Sequence, residues 1–296
     1  MNYSELLTMN FYKKWTGLIL ELSKFRITIS VTITTAIGYF LAPVPWESNV
    51  IWPVLGILFI GMGSASLNHI QDRKLDKKMV RTQNRPFPTE RISVLQAFAV
   101  VIFFFLTGSF ILYYFSGLLS FILGVSALFW YNGIYTYLKR ISSIAVIPGA
   151  LIGGIPPALG WVAAGGDLLD PLILSVSMML IIWQVPHFWL LLFMYSDDYS
   201  RAGLPNLIEQ ISEDALRIIT FAAIVLTAAS AFAIFYAEEI LQHWSIILAV
   251  LATLKLLWDS RDMIILKNKV KYRSVFMSIN IYTLLIMIFI LFGRFL

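Results

Sequence analysis

Apolar residues run through this 296-residue chain in long unbroken stretches and do not alternate with polar ones. Nine stretches stand out, at about 27–44, 50–67, 94–113, 117–137, 142–163, 171–194, 215–236, 240–258 and 275–293. Each approaches the roughly 20 residues that cross a bilayer as an α-helix, a conformation that satisfies its own backbone hydrogen bonds in lipid. A membrane barrel would show a period of two, which these runs lack. The pattern predicts an all-α polytopic membrane protein of nine transmembrane helices around a central cavity. No soluble domain fits between the runs, so residues 1–296 read as one domain. Polar segments follow the second and sixth runs, which suggests two four-helix halves, about 27–137 and 142–258, plus a ninth helix at about 275–293.

Composition supports this, with 59% hydrophobic and 13% charged residues. Cysteine is absent, which excludes disulfides, thiol nucleophiles and cysteine metal sites. Charge then orients the chain. With the N-terminus inside, every one of the 22 Lys and Arg residues except Lys255 and Arg294 falls in or beside an inner segment. The outer connections hold Glu47, Asp167, Asp170, Glu238 and Glu239. The net charge of +5 therefore reflects loops facing anionic lipid and calls for no nucleic-acid partner. The first 25 residues carry Glu5, Lys13, Lys14 and Glu21 and resemble neither a signal peptide nor a mitochondrial presequence. A bacterial inner membrane is the simplest location, with the N-terminus and the polar inner loops cytoplasmic.

The segment "NHIQDRKLDKKMVRTQNRPFP", Asn68 to Pro88, holds more chemistry than orientation requires. Asn68, Asp72 and Asp76 recur every four residues, so on a helix they drift only about 40° per step and share one face over roughly 12 Å. Amide and carboxylate oxygens are hard ligands suited to Mg²⁺, which binds a few carboxylates together with substrate phosphate. Arg73, Lys74, Lys77, Lys78, Arg81 and Arg85 supply cations of the kind that hold phosphate oxygens. The group reads as a metal and diphosphate site; a solvated helix end with Asp–Lys pairs is the alternative. Ionisable residues at the membrane boundary favour the functional reading. Pro86 and Pro88 are expected to end the helix.

A second polar stretch, "IIWQVPHFWLLLFMYSDDYSRAGLPN", runs from Ile181 to Asn206. On one continuous helix Gln184, His187 and Asp198 fall within about 60° of one another, with Asp197 off the stripe. Asp198 is the expected second metal ligand. Pro186 is expected to kink the helix. Gln184 and His187, framed by Trp183 and Trp189, read as the lining of a polar-edged pocket, or alternatively as a hydrogen bond across the bundle. His69 and His243 read as structural or interfacial. A third inner segment, Tyr131 to Trp161, adds Lys139 and Arg140 beside Tyr135 and Tyr137, then Pro148, Pro156 and Pro157 with Gly149, Gly153 and Gly154, which predicts a bent fifth helix.

Asn68, Asp72 and Asp76 followed by "RTQNRP" resemble the first aspartate-rich motif of the intramembrane aromatic (UbiA-like) prenyltransferase superfamily. With "YTYLKR", "PPALGW", "WQVPHF" and "DDYSRAGLP" in order, the chain from about Lys24 to Asn206 is more narrowly similar to the protoheme IX farnesyltransferase (heme o synthase) family. The last three helices match only in hydrophobicity. The resemblance implies transfer of farnesyl from farnesyl diphosphate to a vinyl group of heme b, giving heme o. It places Mg²⁺ on Asn68, Asp72 and Asp76. The superfamily's second motif has several spaced acids; here only "SDDYS" remains, with Met194 where another acid would stand. The implied diphosphate contacts are Arg73, Lys77, Arg81, Arg85, Lys139 and Arg140. Trp183, Gln184 and His187 are the residues for the porphyrin or for water, and Asp72, Asp76 and His187 the catalytic groups. The partners implied are the two substrates and the lipid bilayer, with a homo-oligomer, or contact with heme a synthase or a terminal-oxidase assembly, left open. Prenylation of a quinone precursor is the alternative within enzymes, and transport the alternative outside them.

Overall fold

The computed structural model describes residues 3–43, 48–237, 243–265 and 270–295. Ten principal helices account for them: α1 (Tyr3–Leu22), α2 (Phe25–Leu41), α3 (Ile51–Asp76), α4 (Val94–Phe115), α5 (Leu118–Leu138), α6 (Val146–Ala163), α7 (Pro171–Ala202), α8 (Glu213–Ala237), α9 (His243–Ser260) and α10 (Tyr272–Phe295). No strand occurs among the described residues. Seven helices are long and apolar enough to cross a membrane, and α2, with 17 residues, is a shorter apolar helix. The protein is therefore a multi-pass membrane protein. Glu47, Glu238 and Glu239, and the start of the 240–258 run, lie outside the described residues.

Large apolar side chains turned outward mark the lipid-facing surface. On α4, Leu95, Phe103, Leu106, Phe110 and Tyr114 are exposed, whereas Ala97, Val101, Phe104 and Leu112 are buried. One helix thus faces lipid on one side and packs on α3 with the other. The largest core cluster joins Ile37 and Leu41 of α2 to Trp161 of α6, Ile173 and Met179 of α7, Ile224 of α8, Leu256 of α9 and Ile279 of α10. The first apolar helix therefore packs into the core of the C-terminal helices.

That packing depends on close backbone approach. A methyl group on Gly38 of α2 would stand 2.0 Å from the Pro157 carbonyl oxygen, and one on Gly160 of α6 would stand 1.9 Å from that of Thr35. The two glycines lock α2 and α6 reciprocally.

Three local departures from regular helix shape the inner end. α5 widens into a π-helix over Phe129–Tyr135, a form found often at functional sites. α6 tightens into a 3₁₀ turn over Leu151–Gly154 before Pro156 and Pro157, which is the bend expected from its Pro and Gly content. In α7 the helical geometry breaks at Tyr195 (φ −136°, ψ 23°) and not at Pro186. The proline sits in its helix without a break, and the turn comes just before the acids. Projecting Asp198 onto the stripe of Gln184 and His187 assumed a continuous helix and does not hold past Tyr195.

Residues Tyr3–Leu22, expected only as part of an inner segment, build α1. Leu18 and Leu22 bury against Ile70, Phe87, Ile92 and Val101, and Glu21 forms a two-pronged ion pair with Arg91 at 2.7 and 2.8 Å. α1 thus braces the segment that follows α3.

Candidate functional site

The last two turns of α3 carry the site. Asn68, Asp72 and Asp76 are 2%, 6% and 3% exposed, so the acidic face is turned into the protein and not to solvent. Asn68 Nδ2 donates to Asp72 Oδ2 at 2.9 Å and to Thr136 Oγ1 at 3.2 Å, while its Oδ1 accepts from Lys24 Nζ at 2.9 Å. Asp72 is held by both cations at the end of α5: Lys139 bonds Oδ2, and Arg140 bonds Oδ1 at 3.1 Å. Asp76 Oδ1 accepts from Arg85 at 2.8 Å. Buried carboxylates are stable only when so paired.

Among Asn68, Asp72, Asp76 and the cations that hold them, two polar atoms are left over. Asp76 Oδ2 and Arg140 Nε are buried and have no hydrogen-bond partner among the described residues. One is an oxygen acceptor and the other a cationic donor. A site left with a spare anionic oxygen and a spare guanidinium N–H fits a cation and an anion bound side by side. Among the described residues no three Asp, Glu, His or Cys side chains stand close enough to hold a metal alone. Mg²⁺ needs only one or two carboxylates when phosphate oxygens complete its shell, so this donor set suits it.

α3 ends at Asp76, ten residues before Pro86, so the prolines do not end it. The chain folds back instead: Thr82 Oγ1 donates to the Asp76 carbonyl at 3.0 Å, and Asp198 accepts from the backbone N–H groups of Val80 at 2.9 Å and Arg81 at 3.1 Å. Both oxygens of Asp198 thus hold this loop, and the structure does not gather Asp198 with Asp72 and Asp76. The loop presents Arg85 to Asp76 and lays the Arg81 guanidinium 4.8 Å from the Tyr195 ring centre. Arg73 bonds the Ile70 carbonyl of its own helix at 2.6 Å, and exposed Lys77 stands 3.8 Å from Glu90. Neither reaches the buried cluster.

Lys24 lay outside the sequence-based site. It caps the start of α2 in the left-handed region (φ 47°, ψ 46°). Desolvation of its amine, aided by the nearby charges of Arg85 and Lys139, pushes its pKa down to about 7. Thr136 and Tyr131 were missed as well. Thr136, the residue that follows the π-helix, is buried, and its hydroxyl donates to the Tyr131 carbonyl at 2.9 Å; the π-helix itself stacks the Tyr131 and Tyr135 rings 5.6 Å apart. Asn132 is buried there too and ties α5 to α3 through Ser64 and Gln71. A π-helix leaves no signature in hydrophobic periodicity, so nothing in the pattern pointed to these residues.

The structure joins the second polar stretch to the first through aromatic rings. Lys139 Nζ lies 5.9 Å from the Tyr135 ring centre, Tyr135 lies 6.3 Å from Phe188, and Phe188 meets His187 edge-on at 5.6 Å. Trp183 and Phe276 each stand 4.7 Å from the His187 ring. Gln184 packs over Gly153, where a methyl group would fall 2.3 Å from its Nε2. His187 Nδ1 is 2.9 Å from Asn280 Oδ1 on α10, a partner hidden from the sequence because only the packing of α10 on α7 brings the two together.

The fold and sequence both have relatives. The chain is 34% identical over 193 residues to protoheme IX farnesyltransferase 1 of Pseudomonas fluorescens, covering 64% of this chain and 63% of that protein. It is 36% identical over 188 residues to the protoheme IX farnesyltransferase of Cytophaga hutchinsonii, covering 62% and 65%. It thus spans a little under two thirds of the length of these relatives. Among solved structures, it is similar to one described as giving insight into the biosynthesis of digeranylgeranylglyceryl phosphate synthase in membranes, with a TM-score of 0.75, 17% identity and coverage of 95% and 99%. A UbiA homolog from Archaeoglobus fulgidus, bound to GPP and Mg²⁺, gives a TM-score of 0.68 at 14% identity, with coverage of 94% and 100%. These likenesses show the shared fold. The family model for UbiA prenyltransferases matches residues 31–284, and the chain belongs to that family.

Proposed function

We propose that this protein is an Mg²⁺-dependent prenyltransferase that moves farnesyl from farnesyl diphosphate to a vinyl group of heme b, forming heme o and releasing diphosphate. The observation that carries the reading is the buried cluster at the end of α3, with Asp76 Oδ2 and Arg140 Nε left unpartnered. The acceptor follows from the relatives named protoheme IX farnesyltransferase, and the metal finds support in the fold relative bound to GPP and Mg²⁺.

In this reading Asn68, Asp72 and Asp76 hold the ion, which supplies charge neutralisation for the leaving diphosphate. Lys24, Arg85, Lys139 and Arg140 hold the remaining phosphate oxygens, with Arg81 beside them. The allylic carbon–oxygen bond breaks and its electron pair leaves on diphosphate, a charge these fixed cations already face. Tyr131, Tyr135 and Phe188 cover the allylic cation and keep water from it. The terminal vinyl carbon forms the new carbon–carbon bond. Water then adds to the carbon beside the porphyrin ring and its proton passes to diphosphate, leaving a hydroxyethylfarnesyl group. His187, Gln184 and Trp183 orient the acceptor. In this reading the site faces the cytoplasmic side of a bacterial inner membrane, an orientation that the positive-inside charge pattern supports.

Incubating the purified protein with heme b, Mg²⁺ and farnesyl diphosphate tests this by the mass of the porphyrin product. A hydroxyethylfarnesyl porphyrin is expected. Diphosphate release only with a quinone precursor would replace the acceptor, and no diphosphate release with any acceptor would remove the enzyme assignment.

A further inference from the structure

Asn280 sits on α10, outside the two polar segments of the sequence, and its side chain meets His187 at 2.9 Å. Its amide has a fixed orientation. Asn280 Nδ2 donates to the Phe276 carbonyl one turn earlier; reversing the amide would set two carbonyl oxygens against each other. Oδ1 therefore faces His187, and since it can only accept, the proton of the neutral imidazole resides on Nδ1. Nε2 is then an unprotonated lone pair, and no described residue donates to it. An imidazole with Nδ1–H bound to an amide oxygen and a free Nε2 is the usual arrangement of a histidine that ligates a metal through Nε2.

The surroundings suit a flat iron-bearing ligand. The Trp183 and Phe276 rings stand 4.7 Å from His187, and Phe188 stands at 5.6 Å. Aromatic walls with one nitrogen donor and no acid make a poor Mg²⁺ site and a good seat for an iron porphyrin. The ring path through Phe188 and Tyr135 then leads to Lys139 and the diphosphate cluster.

We propose that His187 Nε2 ligates the iron of the acceptor porphyrin and that Asn280 is its positioning residue, fixing the Nδ1–H tautomer and the ring plane. This rests on the heme reading above. Axial ligation leaves the porphyrin edge, where the vinyl groups lie, free to swing only about the iron–nitrogen axis. The ninth apolar helix thereby takes part in acceptor placement.

The test is titration of the purified full-length protein with ferric heme and, after reduction, resonance Raman of the iron–histidine stretch. Wild type is expected to bind heme saturably with a histidine-ligated spectrum. H187A should lose that spectrum and regain it with added imidazole. N280L should weaken heme binding by about 10- to 100-fold, as loss of such a partner does, and shift the stretch, while N280D keeps the acceptor and retains binding. Heme binding with a spectrum indifferent to H187A overturns the ligation proposal and leaves the heme reading standing; a stretch unmoved in N280L overturns the positioning role of Asn280. Absence of saturable heme binding by wild type overturns both.

Discussion

Asp198 holds the backbone of Val80 and Arg81, residues 118 and 117 positions earlier in the chain, with one carboxylate oxygen on each N–H group. The acid of the second polar segment therefore fixes the loop that delivers Arg85 to Asp76. Hydrogen bonds to a charged group contribute about 1.5–3 kcal/mol each. Asp198→Ala should accordingly raise hydrogen-exchange rates across residues 77–91 by about 10- to 100-fold, since each 1.4 kcal/mol is tenfold. It should also raise KM for farnesyl diphosphate. The Mg²⁺ concentration for half-maximal rate is expected to stay within about twofold, whereas loss of a metal ligand would raise it tenfold or more.

The same residue shows where the sequence stops being legible. Every apolar run appears as a helix among the described residues, because burial in lipid writes itself into continuous hydrophobicity. Asn68, Asp72 and Asp76 share a buried face because they lie on one uninterrupted helix. Asp198 departs from its expected stripe because the helix breaks at Tyr195, a tertiary effect that helical projection does not contain. Lys24 and Asn280 reach the two ends of the site from helices α2 and α10, and only three-dimensional packing joins them to it.

Asp72 is the residue on which most of the cluster converges, with Asn68, Lys139 and Arg140 all bonded to it. Asp72→Ala should lower prenyl transfer to any acceptor by about 100-fold or more. It frees Lys139 and Arg140, so binding of inorganic diphosphate should hold steady or tighten. Measuring turnover by diphosphate release and binding by calorimetry separates the two effects; full turnover in this variant would eliminate the metal-site assignment.

The α2–α6 crossing should tolerate no added methyl. Gly160→Ala places Cβ 1.9 Å from the Thr35 carbonyl oxygen, a backbone atom that cannot turn aside. Overpacking of this kind costs about 1–3 kcal/mol or more. A lower thermal midpoint is expected, followed through the emission of Trp161, which is 1% exposed on the same helix. Gly38→Ala should act alike, and the double variant should lose less than the two single losses together, since the first already parts the helices.

Lys24 offers a separation of stability from function. Its left-handed backbone costs a non-glycine residue on the order of 1 kcal/mol, and its amine is desolvated among Arg85 and Lys139. Both costs place a positive charge where diphosphate oxygens are to sit. Lys24→Gly removes the strain and the crowded charge, so its thermal midpoint should exceed that of wild type. Lys24→Met removes the charge but keeps the strained backbone, so its midpoint should fall between the two. Both variants should bind inorganic diphosphate about tenfold more weakly, a difference of about 1.4 kcal/mol. Unchanged diphosphate binding in both would show that Lys24 serves Asn68 alone, and a midpoint for Lys24→Gly below wild type would show that the bond to Asn68 outweighs the strain.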